Sequence, residues 1–486
     1  MMSIPTGRSA RLAAGILVGG CLLAGVFSAP AAAQDEERRI ERAMRIADPT
    51  YRLRVDTSLG LTERSLLDVG GFASFSAVNI RDNTGNYRRL LQPEVTLYGR
   101  AVIDGAHTIF ARSRFQYRDF SRGDSFDGRG DRWTKPFLDR YWYEYDHARA
   151  QAAYEGVAPE NNFNIRVGRQ FVDWNAGLAL SETLYAARPT VQLGRFSIEG
   201  IAGVTTGDRA ITDFDASRRD FNSETWRGFF GATFRYRFQD ATQLYAYVLH
   251  MPDFNSGDTP RANLPINVDF DYEATYFGIG AQGSFTNNLA YLAEFVYQIG
   301  ESQSDPLQGP QRSEDIRAYA ARVMLTYYFG DRNNTQLEFE TLLASGDSDR
   351  LTSSDTVGGN RPGTNDRGFN SLGFANTGLA FAPSLSNILT VRLGALTTPF
   401  PESRMFEQLQ VGADVIVFNK LNSNAPIDEA TSNDGYLGVE TDFSVNYRIT
   451  SDLAVTGRAG LFFPGDAITS GSHVRQFIFA GVTLSF

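Results

Sequence analysis

The chain has 486 residues, 13% of them aromatic, with 46 glycines, one cysteine and a formal net charge of -10. Its mean hydropathy is negative at -0.27, and past residue 33 no stretch supplies the roughly 18 apolar residues a spanning helix needs, so a polytopic helical membrane protein is excluded. The acidic balance argues against a nucleic-acid partner, yet the cations are unusual, because only Lys135 and Lys420 are lysines and the other 44 are arginines.

Residues 1–33 read as a secretory signal peptide. Arg8 and Arg11 form a positive n-region, Leu12 to Phe27 is an apolar run, and Ala31-Ala32-Ala33 before Gln34 fits a small-residue cleavage site. A lipoprotein signal competes at Val18-Gly19-Gly20-Cys21, but the apolar run continues past Cys21, so cleavage after Ala33 is expected. The remaining chain has no cysteine and owes nothing to disulfides. Residues 34–65 form a charged lead-in without an apolar face, interrupted by Asp48-Pro49 and expected in the periplasm.

From residue 66 to 486 the chain repeats segments of alternating apolar and polar residues separated by Gly/Asp/Asn/Ser-rich turns. Early in the chain, His107 to Phe120 sets Ile109, Ala111, Phe115 and Tyr117 against Arg112, Arg114, Gln116 and Arg118. Trp226 to Phe238 repeats this, with Phe230, Phe234 and Phe238 against Arg227, Thr233, Arg235 and Arg237. Tyr436 to Arg448 puts Leu437, Val439, Phe443 and Val445 on one face and Glu440, Asp442 and Arg448 on the other. Strands of a soluble sandwich are usually shorter, and aromatics at both ends of the apolar face fit the girdles of a membrane barrel. The last strand ends on Phe486, with Leu484, Val482, Ala480 and Ile478 on its face. Only a closed barrel satisfies every backbone group in a bilayer, so the expected fold is an all-β transmembrane antiparallel barrel of the outer-membrane type.

Turn lengths give the strand count. Short links fall at Asp104 to Ala106, Gln239 to Ala241, Thr286 to Asn288, Asp331 to Asn333, Pro383 to Asn387 and Ile449 to Asp452, and longer ones alternate with them. This yields nineteen candidate strands, whereas a bacterial single-chain barrel has an even number. The phase of short and long links removes Leu409 to Phe418, making 397 to 435 one long excursion and leaving eighteen strands. Leu178 to Ala187 is the other weak candidate.

The run Ile165-Arg166-Val167-Gly168-Arg169-Gln170, the Leu437-Gly438-Val439-Glu440-Thr441-Asp442 strand opening and Leu461-Phe462-Phe463-Pro464-Gly465-Asp466 before the last strand resemble the alginate export family of outer-membrane porins. The resemblance covers most of the chain after the signal. It implies an eighteen-stranded barrel whose narrow, arginine-rich lumen passes an anionic uronate polysaccharide out of the periplasm. It does not by itself fix the substrate.

Strand parity points to the same lining independently. The face opposite the apolar one carries Arg112, Arg114, Arg118, Arg140, Arg166, Arg227, Arg235, Arg237, Arg322, Arg392, Arg458 and Arg475, with Glu94, Glu144, Glu294, Glu338, Glu340, Glu440 and Asp442 among them. Rings of arginine select anions, and a guanidinium holds a carboxylate bidentately. The competing reading is that Arg and Glu merely pair and hold the barrel's shape, which is the better account of any one arginine but not of the cluster. Arg169 has lipid-facing parity and fits the site only at a rim or bulge. The acidic loop 344 to 376 lacks the regular spacing of a calcium site and reads as solvated.

An outer-membrane hydrolase is the rival of another class. It needs a nucleophile, a base and an orienting group within reach. Of the four histidines, only His473 lies near serines and an acid, Ser470, Ser472 and Asp466, and no nucleophile motif surrounds it. The expectation is therefore a monomeric, non-enzymatic, cofactor-free channel for an anionic polysaccharide, or in the alternative an uptake porin for small organic acids or oligouronides. Its partners would be outer-membrane lipid and a periplasmic export apparatus docking on the short turns and the 34–60 segment.

Overall fold

A computed structural model describes residues 55–121, 130–157, 159–207, 211–214, 221, 224–238, 242–255, 258–260, 267–269, 271–350 and 359–486. The expected signal peptide, most of the 34–65 lead-in and the Gln239 to Ala241 turn lie outside the described residues.

Among the described residues, eighteen antiparallel strands close into one ring. In chain order they are β1 (Ser65–Arg81), β2 (Tyr87–Ile103), β3 (His107–Phe120), β4 (Arg132–Asp146), β5 (Asn161–Asp173), β6 (Ser181–Leu193), β7 (Phe196–Thr205), β8 (Gly228–Arg237) and β9 (Gln243–Met251). A two-stranded hairpin, β10 (Asp258–Pro260) with β11 (Asn267–Asp269), lies outside the ring in the next link. The ring continues with β12 (Tyr272–Thr286), β13 (Leu289–Gln303), β14 (Ser313–Tyr328), β15 (Gln336–Ala344), β16 (Ile388–Thr397), β17 (Leu409–Asn419), β18 (Tyr436–Arg448), β19 (Leu453–Pro464) and β20 (Arg475–Ser485). Each strand pairs with its sequence neighbours, and β1 pairs with β20 to close the ring. At that seam the Gly71 and Phe486 backbones exchange two hydrogen bonds of 2.9 Å.

The alternation explains why the strands form a barrel rather than a sandwich. Val95, Leu97, Ile109, Phe115, Phe277, Ile279, Leu393 and Phe443 stand exposed on the outer wall, while the alternate residues turn inward. In water such a surface would be a large apolar patch; in a bilayer it is the lipid face. Aromatic pairs collect toward the short-link end, including Phe285 with Tyr291 (ring centroids 4.2 Å apart), Phe196 with Tyr236, and Tyr327 with Phe329. The β4–β5 link carries the one helix among the described residues, α1 (His147–Tyr154), which Asp146 caps by accepting the Arg149 N–H. The Tyr154 hydroxyl donates to Asp104 at 2.8 Å, and burial together with that carboxylate pushes its pKa up to about 12.

The strand count agrees with expectation, but one of its parts does not. Leu409–Asn419 is a strand, β17, paired on both sides. The surplus candidate is instead the stretch before Pro383, and Pro383 to Asn387 is no turn between strands, because residues 345–387 form a single link from β15 to β16. Counting an apolar run inside that link as a strand inverted the phase of everything after it. The weak candidate Leu178 to Ala187 splits, with 174–180 forming a loop and β6 starting at Ser181.

Candidate functional site: the lumen and its two inward loops

Two long-end links fold into the barrel instead of away from it, so the acidic 345–387 link is not the solvated loop expected. Trp174, Leu178 and Leu180 of one link and Phe369, Leu372 and Phe381 of the other are buried with Tyr245, Tyr247, Tyr276, Phe418 and Phe462 of the wall in one apolar cluster. The two links are joined by backbone: Ser181 N–H donates to Leu372 O, and Phe374 N–H to Gly177 O, each at 2.8 Å.

Backbone turned into a barrel must find partners there, and two carboxylates from the wall supply them. Glu440 accepts the N–H groups of Leu379, Ala380 and Phe381 at 2.5, 2.7 and 2.8 Å. Gly378, at φ 111°, brings the turn close enough: a Cβ there would stand 2.9 Å from Glu440 Oε1. Five strands away, Glu294 of β13 accepts the Ala176 N–H at 3.0 Å and the Tyr245 hydroxyl at 2.6 Å. Both acids therefore pin the inward loops, and Glu440, expected to line the path, is fully buried beneath one of them.

The expected arginines divide into three sets. The first braces loops. Arg227 is fully buried at the long-loop end of the β8 inner face, paired with Asp213 at 2.7 Å and Asp253 at 3.2 Å, and stacked over Phe214. It continues the inward parity of Phe229 and Thr233 one residue before β8 and bridges Asp253 in the β8–β9 register, but the 211–214 segment covers it there. Arg475 pairs bidentately with Glu429 and packs against Phe381 and Phe462. Arg392 donates to Asn376 O at 2.5 Å and pairs with Glu340, which also pairs with Arg322. Arg235 joins Glu199 at 2.6 Å to Asn175 of the first inward loop at 2.9 Å. Replacing Arg227 with alanine should cost about 3–5 kcal/mol by stranding two buried carboxylates, with no change in ion preference; urea unfolding in detergent and bilayer conductance report the two.

The second set forms a continuous arc on β3, β4 and β5. Arg112 pairs bidentately with Asp139, which Arg114 also reaches at 3.2 Å; Arg114 lies 3.5 Å from Glu94. Arg166 pairs with Glu144 at 2.6 Å and lies 4.1 Å over the Trp142 ring. Arg140 packs over Phe171, and Arg118 continues the inward face toward the long-loop end. Arg169 is buried, 5.7 Å over Tyr185, next to Gly168 at φ 138°. A Cβ at Gly168 would stand 2.4 Å from Tyr141 O, so the strands approach too closely there for any other residue. The third set, Arg237 and Arg458, is set apart from this arc, Arg237 exposed near the short-link end and Arg458 half-buried on β19.

Parity also carries residues not expected beforehand. Arg100 continues the inward phase of Glu94 and Thr96 on β2 and extends the arginine arc toward the short-link end. Asp139 was hidden by the register shift that interrupts β3–β4 pairing between Arg112 and Ser113. Asp414 was lost with the rejected strand.

A model of the alginate export family matches residues 210–480 of this chain. No curated protein matches. Among solved structures, the chain is similar to Pseudomonas aeruginosa OccK8 (OprE), with a TM-score of 0.53 and 12% identity over 88% of this chain and 99% of that one. Pseudomonas aeruginosa OccK5 (OpdH) gives 0.52 and 11%, covering 88% and 100%. Pseudomonas aeruginosa OccK2 (OpdF) in complex with glucuronate gives 0.50 and 11%, covering 86% and 98%. At such identities the likeness is one of fold.

Proposed function

The chain belongs to the alginate export family and is an outer-membrane β-barrel channel, and we propose that it passes an anionic uronate polysaccharide outward along the arginine arc of β2 to β5. The observation that carries this reading is the arc's continuity. Arg100, Arg166, Arg114 and Arg118 follow one another from the short-link end, the periplasmic one in this topology, toward the long-loop end. Arg114 and Arg166 keep 16% and 15% of their side chains accessible beside their carboxylate partners, so each can release and re-form a contact with a passing carboxylate. Weak successive sites are what conduction requires, since a single tight site would hold the polymer.

The inward loops support an extended chain over a bulky one. They bury an apolar cluster against the wall from β6 to β18, which leaves the arginine arc as a polar route beside them. Uptake of oligouronides or small organic acids uses the same arc with opposite flux. That second reading draws on one fold neighbour, which was crystallised with glucuronate.

Planar-bilayer recording of the purified protein tests the reading. Chloride should permeate in preference to potassium, and polyuronate added on the periplasmic side should block the current at lower concentration than a neutral glucan of equal length. Equal block by the neutral polymer would sink it.

A further inference from the structure

One patch of the outer wall is cationic, with no acid to neutralise it. Phe75, Ala77, Asn79 and Arg81 are successive outward positions of β1, and their Cα partners on β2 are Pro93, Leu91, Arg89 and Tyr87. Arg81 lies 5.7 Å over the Tyr87 ring, and Arg89 stands exposed one outward position nearer the bilayer centre. Neither guanidinium forms an ion pair or a side-chain hydrogen bond among the described residues, and Arg81 Nε meets no acceptor. The outward acid beside them, Asp119, faces Leu91 and pairs with neither. At the same end of β14 the contrast is plain, because Arg317 is held by Asp315 at 3.0 Å.

Aromatic side chains fix the level of the patch. Tyr87 is 62% exposed at its upper edge. One outward position below Asp119 stands Tyr117, whose ring lies 4.9 Å from that of Trp133, itself 72% exposed. Tyrosine and tryptophan girdles sit at headgroup depth, and this is the long-loop, outer-leaflet end, so both arginines lie among headgroups. Below them the wall turns apolar, with Phe75, Val95, Ile478 and Val482 exposed toward lipid. An unpaired guanidinium at this depth is costly unless an anion meets it, and phosphate oxygens fit its planar fork bidentately. Two cations above an apolar face match an amphiphile with a doubly anionic head.

We propose that this patch binds a multiply phosphorylated lipid of the outer leaflet, of the lipid A class, with its phosphates on Arg81 and Arg89 and its acyl chains along Phe75, Ile478 and Val482. The patch spans β20, β1 and β2, the strands at which the ring closes, so a bound lipid braces the β1–β20 seam from outside. The site is independent of what passes through the lumen.

Native mass spectrometry of the full mature protein in detergent tests it, with bisphosphorylated lipid A, its dephosphorylated form and phosphatidylglycerol as probes. Wild type should retain one bisphosphorylated lipid A at a concentration about tenfold below that needed for either other lipid. Arg81→Ser with Arg89→Ser should abolish the preference, and Arg89→Lys, which keeps the charge but not the fork, should fall between. The double variant should conduct like wild type, because neither arginine faces the lumen, so the loss of lipid is read on a folded barrel. Bisphosphorylated lipid A should also raise the temperature at which the folded, fast-migrating gel band of wild type is lost, and not that of the double variant. Unchanged lipid A binding by the double variant would overturn the proposal, as would equal binding of the dephosphorylated form. Phosphatidylglycerol bound as tightly as lipid A would overturn the choice of an outer-leaflet lipid.

Discussion

Replacing Glu440 with alanine should open the channel. The carboxylate accepts three backbone N–H groups from the 379–381 turn, and hydrogen bonds to a charged group are worth about 1.5–3 kcal/mol each. No other polar side chain is seen to accept those three donors, so the variant must leave them unmet or let the turn swing away from the wall. Movement is the cheaper outcome, because the turn would meet water in a wider lumen. Single-channel conductance should then rise about twofold or more, with added open-channel noise. Glu440→Gln keeps one acceptor oxygen and should fall between the two. A Glu440→Ala channel with wild-type conductance and noise would mean that the apolar contacts of Phe381 with Phe418 and Phe462 hold the turn unaided.

The double change Arg114→Ser with Arg166→Ser should have the largest effect on selectivity. Each guanidinium borders a carboxylate, Arg114 beside Asp139 and Glu94, Arg166 beside Glu144. Removing the cations therefore subtracts two positive charges and uncovers acids, so the local sign reverses. At the intermediate dielectric of a water-lined wall a unit charge a few ångströms away is worth about 1–4 kcal/mol. The chloride-to-potassium permeability ratio should fall about tenfold at low salt, as read from reversal potentials. At 1 M salt the Debye length shrinks to about 3 Å, and the difference should largely vanish. The pair Arg235 and Arg237, attractive from strand parity, is a poorer probe, because Arg235 also holds Asn175 of an inward loop and its loss confounds charge with pore shape.

Period-two alternation made the barrel legible: His107–Phe120 and Tyr436–Arg448 have the same bounds in sequence and structure. Alternation tells which way a side chain points but not what waits for it there. Glu440 and Arg392 do point inward, yet a link distant in sequence, 345–387, comes to meet them, and nothing local in either strand announces it. The same blindness produced the miscounted strand, since a short apolar run buried inside a barrel looks like one facing lipid. Its environment is set by Phe418 and Phe462, which lie on other strands. Arg227 likewise keeps its inward parity, in register with Asp253, yet Asp213 from the preceding link takes its charge.

The seam between β1 and β20 joins Gly71 to Phe486, so the ring's last pairing links residues at nearly opposite ends of the polypeptide. No partial set of strands can be free of edges, and every intermediate in assembly exposes two ladders of unpaired backbone. The 174–180 and 345–387 links must also be inside before the seam zips, since a closed ring offers them no side entrance. Synthesis must therefore finish before insertion can, and the chain has to travel to the membrane unfolded and escorted. A nascent barrel that closes with either link left outside would be sealed, stable and wrong.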